Sequence, residues 1–454
     1  MAAAASCQRS VSPTLCPLCY TGCHMRILFA VPYTPNHIRV RPYELLAALL
    51  RGGHDVTLAT LWTSAADQAD LQRLAQRGAK ILAQPMPAWR SAANSLFALP
   101  TRTPLQAVYS WQPQLLAQLL AAHQAQPFDV MHVEHLRGSR YGLEFLRRVG
   151  GAPGGPAVVW DSVDGISHLF AQAAAISRSA RSRLITRIEL GRTQRYEAQL
   201  LRSFDQTIVT SAIDKAALVA VAEQAAAASR DGAAGRPITA AIDVVPNGVD
   251  LNAFAYGEPA QRHANRIVFS GKMSYHANVT AALHLVNDIM PLVWAQRPDA
   301  EVWIVGKDPT PELRALGEPG AAGAGQGERR VVVTGEVPAM QEYIQGATVA
   351  VAPLLYGAGI QNKVLEAMAC GAPVVATVQA SQSLAAVAGQ DYWQAANAND
   401  FAAAILALLQ SPARRAELGC AGRRFVENHH SWDSAAAQLT DIYTAAINRL
   451  SAGG

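Results

Sequence analysis

"GAGIQNKVLEAMACGAPVVAT" spans residues 357–377. A glycine-rich turn leads into a short Ala/Met helix with one lysine and one glutamate, and then into a Val-Val strand. Helix signals begin near Ile360, after Gly357 and Gly359, and stop at Gly371-Ala372-Pro373, a glycine cap followed by proline. Lys363 and Glu366 then lie one turn apart on one face. Amides at the start of such a helix converge with the positive end of its dipole, which suits an anion. The first turn and Lys363 would hold a diphosphate, and Glu366 would accept hydrogen bonds from two adjacent ribose hydroxyls. Taken alone, the same pair reads equally well as a surface Lys–Glu contact worth a few tenths of a kcal/mol.

The rest of the chain supplies the context. Its 454 residues suffice for two domains, each with its own core. A hydrophobic share of 50% with 16% charge describes a globular protein, and no apolar run approaches the roughly 20 residues of a membrane-spanning helix. A net charge of +4 without an aromatic-studded basic tract argues against nucleic acid. Lys80, Lys215, Lys272, Lys307 and Lys363 are the only lysines, so a lysine beside a phosphate site suggests selection for a compact charge. Cys7, Cys16, Cys19 and Cys23 precede Met25, where "MRILFAV" reads as the first strand of a domain. Residues 1–24 therefore read as an appended leader, disordered or mis-assigned. "CPLCYTGCH" has spacing that suits zinc but no second ligand pair.

Short β-branched runs recur between Ala/Leu-rich segments: "RILFAV" (26–31), "DVTLAT" (55–60), "DVMHV" (129–133), "AVVWD" (157–161), "QTIVT" (206–210) and "IDVV" (242–245). Runs without polar alternation are strands buried on both faces, and intervening helices make the sheet parallel. The rhythm restarts with "RIVFSG" (266–271), "AEVWIVG" (300–306), "RVVVT" (330–334), "TVAVAP" (348–353) and "PVVAT" (373–377). This predicts an α/β protein with a first domain over 25–245, a turn-rich linker over 246–264 and a second domain over 265–430. A terminal helix over 431–454 is expected to cross back to the first domain. Gly/Ala/Pro patches at 149–156, 225–237 and 317–327 read as surface loops.

"KVLEAMACGAPVVAT" (363–377) resembles the donor-binding helix and next strand of the retaining glycosyltransferases of family 4, the group 1 type. "VVPNGVD" (244–250), "FDQTIVTSAIDKAAL" (204–218) and "FSGKMSYHANVTAALHLV" (269–286) extend the resemblance over most of 25–450. It implies the GT-B fold, two Rossmann-like domains facing across a cleft. It also implies retaining transfer of a sugar from a nucleotide diphosphate sugar, with UDP or GDP, to an acceptor hydroxyl. Glu366 matches the family's ribose-binding glutamate. Gly359, Ile360 and Gln361 fall in its donor turn. Gly271 and Lys272 stand where a glycine and an arginine contact the diphosphate, and Gly335 to Val337 match the base-contacting turn. His135, in "FDVMHVEHLRGSRYG" (128–142), matches a histidine facing the donor sugar. The family places another glutamate eight positions before the ribose-binding one, and this chain has Ala358 there. A related branch shares "GAGIQNKVLEAMA".

The expected catalytic set is therefore Lys272, Lys363 and His135, without a metal or a cofactor besides the donor. Neutral His135 would orient a hydroxyl or help move a proton. Acceptor contacts are expected from His37, Arg39 or Arg41 after the first strand, and from Asp161 and Asp164 after another. The resemblance points to surface polysaccharide or glycolipid assembly, with a sugar or lipid-linked acceptor. The expected location is cytoplasmic, peripheral at the inner face of a membrane if the arginine-rich stretch 178–203 meets anionic lipid. The competing readings are a noncatalytic nucleotide-sugar-binding partner and a GT-B sugar-nucleotide epimerase. An NAD oxidoreductase is disfavoured, since "PYTPNH" follows the first strand in place of GxGxxG.

Overall fold

The computed structural model describes residues 24–150, 155–176, 180–228, 241–318, 330–357 and 360–452. The cysteine-rich leader and most of the three Gly/Ala/Pro patches lie outside them. Two compact units emerge, one formed by 24–248 with 432–454 and the other by most of 249–431.

The first unit is built on seven parallel strands: β1 (Arg26–Val31), β2 (Asp55–Trp62), β3 (Lys80–Pro85), β4 (Val130–Glu134), β5 (Ala157–Val163), β6 (Gln206–Val209) and β7 (Ile242–Val244). They lie in the order β3-β2-β1-β4-β5-β6-β7. Successive side chains of β1 enter opposite cores, as a strand covered on both faces requires. Ile27, Phe29 and Val31 pack with Leu45, Leu46, Leu439 and Tyr443. Leu28 and Ala30 join Leu136, Phe145 and Leu200. The helix Trp432–Ala452 thus completes a core layer of this sheet.

The second unit carries six parallel strands: β8 (Arg266–Ser270), β9 (Glu301–Val305), β10 (Val331–Gly335), β11 (Val349–Ala352), β12 (Val374–Thr377) and β13 (Trp393–Ala395). Their order is β10-β9-β8-β11-β12-β13. Both sheets therefore wind outward from their first strand in one direction and resume on its other side. The reversal falls between β1 and β4 in one sheet and between β8 and β11 in the other. Loops leaving the carboxyl ends of those strands diverge there, which makes the point a natural ligand crevice.

The helix that carries Lys363 and Glu366 runs Asn362–Ala369, so it starts two residues later than expected. Gln361 is extended and Ile360 is buried, which places both in the approach to the helix rather than in its first turn. Its far end behaves as the glycine predicts. Gly371 has φ +66°, its amide donates to the Met368 carbonyl, and the Ala372 amide donates to Ala367. This double bond pattern ends a helix through a left-handed residue.

Candidate functional site

At the reversal point of the second sheet, β8 delivers Gly271 and Lys272. Gly271 has φ +147° and its amide donates to the Val305 carbonyl at 3.0 Å. Gly306, after β9, has φ +146°, and a Cβ there would lie 1.8 Å from the Gly271 oxygen. Only a side chain of hydrogen lets these two loops touch back to back. A Cβ on Gly271 would also press on Asn278 Nδ2, at 2.8 Å, and on Lys363 Cε, at 3.4 Å.

Asn278 ties the loop to the helix that follows β11. Its Nδ2 donates to the Lys272 carbonyl at 2.9 Å, and its Oδ1 accepts from Lys363 Nζ at 2.9 Å. Lys363 Nζ also stands 5.5 Å from the Phe269 ring. Burial lowers the Lys363 ammonium from its ordinary 10.5 to about 8, partly opposed by the charge of Glu366. Burial likewise pushes the Glu366 carboxyl from 4.5 up to about 7, partly opposed by Lys363. Among the described residues no ion pair within 4 Å joins the two, and the Glu366 carboxylate has no hydrogen-bond donor. Lys272 extends further into solvent, with its ammonium 3.9 Å from the Asp308 carboxylate.

Gly335 ends β10 with φ +71°, and Glu336 beyond it is exposed. The Val337 side chain packs against Val268, Val305 and Ala347, so the turn presents its backbone and the Glu336 side chain outward. Gly359, like Ala358, lies outside the described residues. The structure thus groups Gly271, Lys272 and Lys363 around Asn278, with Glu366 one helical turn on. The sequence reading had not singled out Asn278. A polar residue in the first turn of the helix after β8 was the available signal.

In the first unit the reversal point is occupied by buried groups that pair with one another in part, while Arg41 Nη2, His132 Nε2 and Glu134 Oε2 have no partner among the described residues. Arg41 Nε donates to Asp161 Oδ2 at 2.8 Å, with both side chains buried, and Arg41 Nη1 reaches the Val245 carbonyl and Asn247 Oδ1 at 2.9 Å each. These two expected acceptor contacts are corrected: the helix Val40–Arg51 begins early enough to carry Arg41 into the core, where it neutralises Asp161. His37 and Arg39 stay exposed, packed on Tyr43 and over the Tyr33 ring. Asp164 is pushed up to about 7 by burial and then by the Asp214 charge.

His132 stacks on Phe29 with centroids 4.2 Å apart, and its Nδ1 lies 2.8 Å from the Tyr443 hydroxyl. Burial lowers it to about 4, so it is neutral at physiological pH. Glu134 accepts from the Tyr33 hydroxyl at 2.7 Å, and burial, reinforced by Asp161, pushes it up to about 8. His135 follows with φ +60°, a left-handed backbone that costs a non-glycine residue on the order of 1–3 kcal/mol. Its Nδ1 accepts from the Arg137 amide at 3.4 Å, and burial, with Arg137 nearby, lowers it to about 3. His135 is thus a neutral imidazole held by a strained residue at a strand's carboxyl end.

Residues 264–411 match the family described as "Glycosyl transferases group 1". These residues make up most of the second unit, which is thus similar to group 1 glycosyl transferases. A GDP-mannose-dependent monoacylated alpha-(1-6)-phosphatidylinositol monomannoside mannosyltransferase of Corynebacterium glutamicum is 26% identical over 223 residues, 44% of this chain and 55% of that protein. An MMP alpha-(1->4)-mannosyltransferase of Mycolicibacterium hassiacum is 32% identical over 221 residues, 46% of this chain and 50% of that protein. The chain therefore spans about half the length of the curated relatives it matches. HepE of Anabaena, solved with UDP and glucose, superposes with a TM-score of 0.62 at 14% identity, covering 93% of this chain and 100% of that one. That likeness is one of fold, and the two parallel sheets agree with it: the chain has the GT-B fold. Among the described residues no helix is long and apolar enough to cross a membrane.

Proposed function

We propose that the protein transfers a sugar, a hexose or a close relative, from a nucleotide diphosphate sugar to an acceptor hydroxyl with retention of anomeric configuration. The observation that carries this reading is the pair Lys363 and Glu366, both driven toward neutrality by burial at the reversal point of the second sheet. A diphosphate beside Lys363 restores its full charge, and vicinal ribose hydroxyls supply the donors that the Glu366 carboxylate lacks among the described residues. The backbone of 335–337 reads the base. As the bond between sugar and diphosphate breaks, negative charge grows on the leaving phosphate. Lys363 and Lys272 stabilise that charge, and preorganised cations in a poorly hydrated site do so without reorganising. The leaving phosphate takes the proton of the acceptor hydroxyl on the face where the new bond forms. His135, neutral and fixed in direction, orients a sugar hydroxyl.

UDP or GDP is the nucleotide. The GDP-mannose dependence named for the Corynebacterium relative supports GDP, and the UDP in the HepE structure supports the alternative. The phosphatidylinositol mannoside in that relative's name supports a lipid-linked acceptor, and with it the reading of an enzyme at the inner face of a membrane in glycolipid or surface-polysaccharide assembly. Ala358, where the family carries a second carboxylate, favours one other reading, a nucleotide-sugar-binding protein without turnover. Thermal shift against UDP-, GDP- and dTDP-sugars, followed by assay of free nucleotide release, separates the two. The proposed reaction predicts stabilisation by one nucleotide class and release of that nucleotide with acceptor, with Lys363→Ala and Glu366→Ala losing both. Wild-type binding and rate in both variants would remove the pocket from consideration.

A further inference from the structure

The first unit has an apolar face that its own core does not cover. Trp89, Leu96 and Phe97 lie on the helix Ala88–Ala98, at spacings of seven and eight residues that put them on one side, and Leu99 follows directly. Leu184, Ile185 and Ile188 form a stripe on the helix Ala180–Ser203. Exposure within this set runs from 50% at Ile188 to 79% at Phe97. Two contacts tie the second helix to the segment that follows the first. Arg192, one turn beyond Ile188, donates to the Leu99 carbonyl at 2.6 Å, and Glu189 accepts from the Leu105 amide at 3.0 Å. Seven large apolar side chains thus share one neighbourhood, where scattered single residues would be unremarkable.

Charge on this face is mostly positive, since Glu144, which lines one pocket with Phe97 and Arg140, is paired with Arg147. Residues 86–112 contain Arg90 and Arg102 and no acid, and 178–203 contain seven arginines against Glu189 and Glu197. Both glutamates are buried, and Glu189 pairs with Arg192 at 2.9 Å. Arg102, Arg187 and Arg195 are exposed. Two copies of this surface would bring arginine against arginine, so self-association is electrostatically opposed. An anionic lipid surface complements both features, since apolar side chains enter the acyl boundary while arginines meet headgroup phosphates. Tryptophan at such a boundary keeps its ring in the apolar layer and its N–H in the wet one.

We infer that the face formed by Trp89, Leu96, Phe97, Leu99 and the Leu184–Ile188 stripe docks on a bilayer bearing anionic lipids. This surface rests on the proposed lipid-borne acceptor, but vesicle binding is read without donor, so either can fail alone. The experiment sediments the full chain with phosphatidylcholine vesicles, with and without phosphatidylglycerol, at low and high salt. Binding is expected to anionic vesicles only and to fall with salt. The double variant Phe97→Glu/Ile188→Glu is expected to bind about tenfold or more weakly while keeping the wild-type melting temperature and nucleotide-induced thermal shift. A blue shift of tryptophan emission on vesicle binding, diminished in Trp89→Phe, is a second readout. Equal binding of wild type and double variant, or no binding to anionic vesicles, overturns the inference. A concentration-dependent dimer that the double variant dissolves would also overturn it, assigning the face to a second copy.

Discussion

Replacing Glu366 with Gln separates binding from stability, because the two are expected to move in opposite directions. The native carboxyl titrates at about 7 where its ordinary value is 4.5. Between those two pH values the folded protein holds a proton that the unfolded chain has released, so stability falls as pH rises through the interval. Above 7 the ionised, poorly hydrated carboxylate carries a penalty of about 3 kcal/mol relative to the unfolded chain, from about 1.4 kcal/mol per pH unit. Gln keeps the shape and removes the charge. It also removes the carboxylate that partly sustains the Lys363 ammonium, so the net gain at pH 8 is set at about 1–2 kcal/mol. For a domain of this size that corresponds to an increase of roughly 2–8 °C in melting temperature. Below pH 4.5 both proteins are neutral at this position and their melting temperatures should converge. In the same preparation, nucleotide affinity should drop by about tenfold or more, as expected when a charged acceptor is lost from hydroxyl donors. Differential scanning fluorimetry from pH 4 to 8.5, with and without UDP and GDP, reads both effects. A variant that melts lower than wild type at pH 8, or a difference that does not change with pH, would refute a carboxylate desolvated for a ligand.

Gly306→Ala should both destabilise the second unit and weaken nucleotide binding, because its Cβ would overlap the Gly271 oxygen and displace the loop that carries Lys272. A loss of at least about 2 kcal/mol in urea unfolding is expected from a strained, overpacked site. In the first unit, Arg41→Met leaves Asp161 buried without its partner, and breaking such a pair costs about 3–5 kcal/mol. The double variant Arg41→Met/Asp161→Asn should recover most of that loss, and a double-mutant cycle measures the coupling.

Most strands were legible because both sheets are parallel and covered, which turns each strand into an uninterrupted apolar run. The exceptions are edge strands. β3 reads "KILAQP", and β13 has only three residues, so neither carries the dense β-branched signal of a central strand. Lys363, Glu366, Gly271 and Lys272 were legible from local motifs. Asn278 was not, since its bond to Lys363 spans 85 positions and depends on β8 and β11 lying side by side. The same limit hid the Arg41–Asp161 pair, 120 positions apart, and the left-handed backbone of His135.

The two reversal points share a way of winding yet differ in chemistry, and that difference bears on the roles proposed for them. In the first unit Arg41 neutralises Asp161, Tyr33 donates to Glu134, and His132 meets Tyr443, although one polar atom each of Arg41, His132 and Glu134 stays buried without a partner among the described residues. Such a network rigidifies the strand ends and fixes where His135 points, but it presents no net charge to an anion. Among the described residues of the second unit, half-buried Lys363 donates to a neutral amide, Lys272 stands half in solvent near Asp308, and half-buried Glu366, its carboxyl raised by burial, has no donor. Burying ionisable groups without pairing them lowers stability, and a ligand carrying both phosphate and hydroxyls recovers that loss on binding. The proposed nucleotide diphosphate sugar is thus supported for the second unit by an energetic argument besides the motif, and the neutral, directional groups of the first are compatible with the proposed contact to an uncharged sugar hydroxyl.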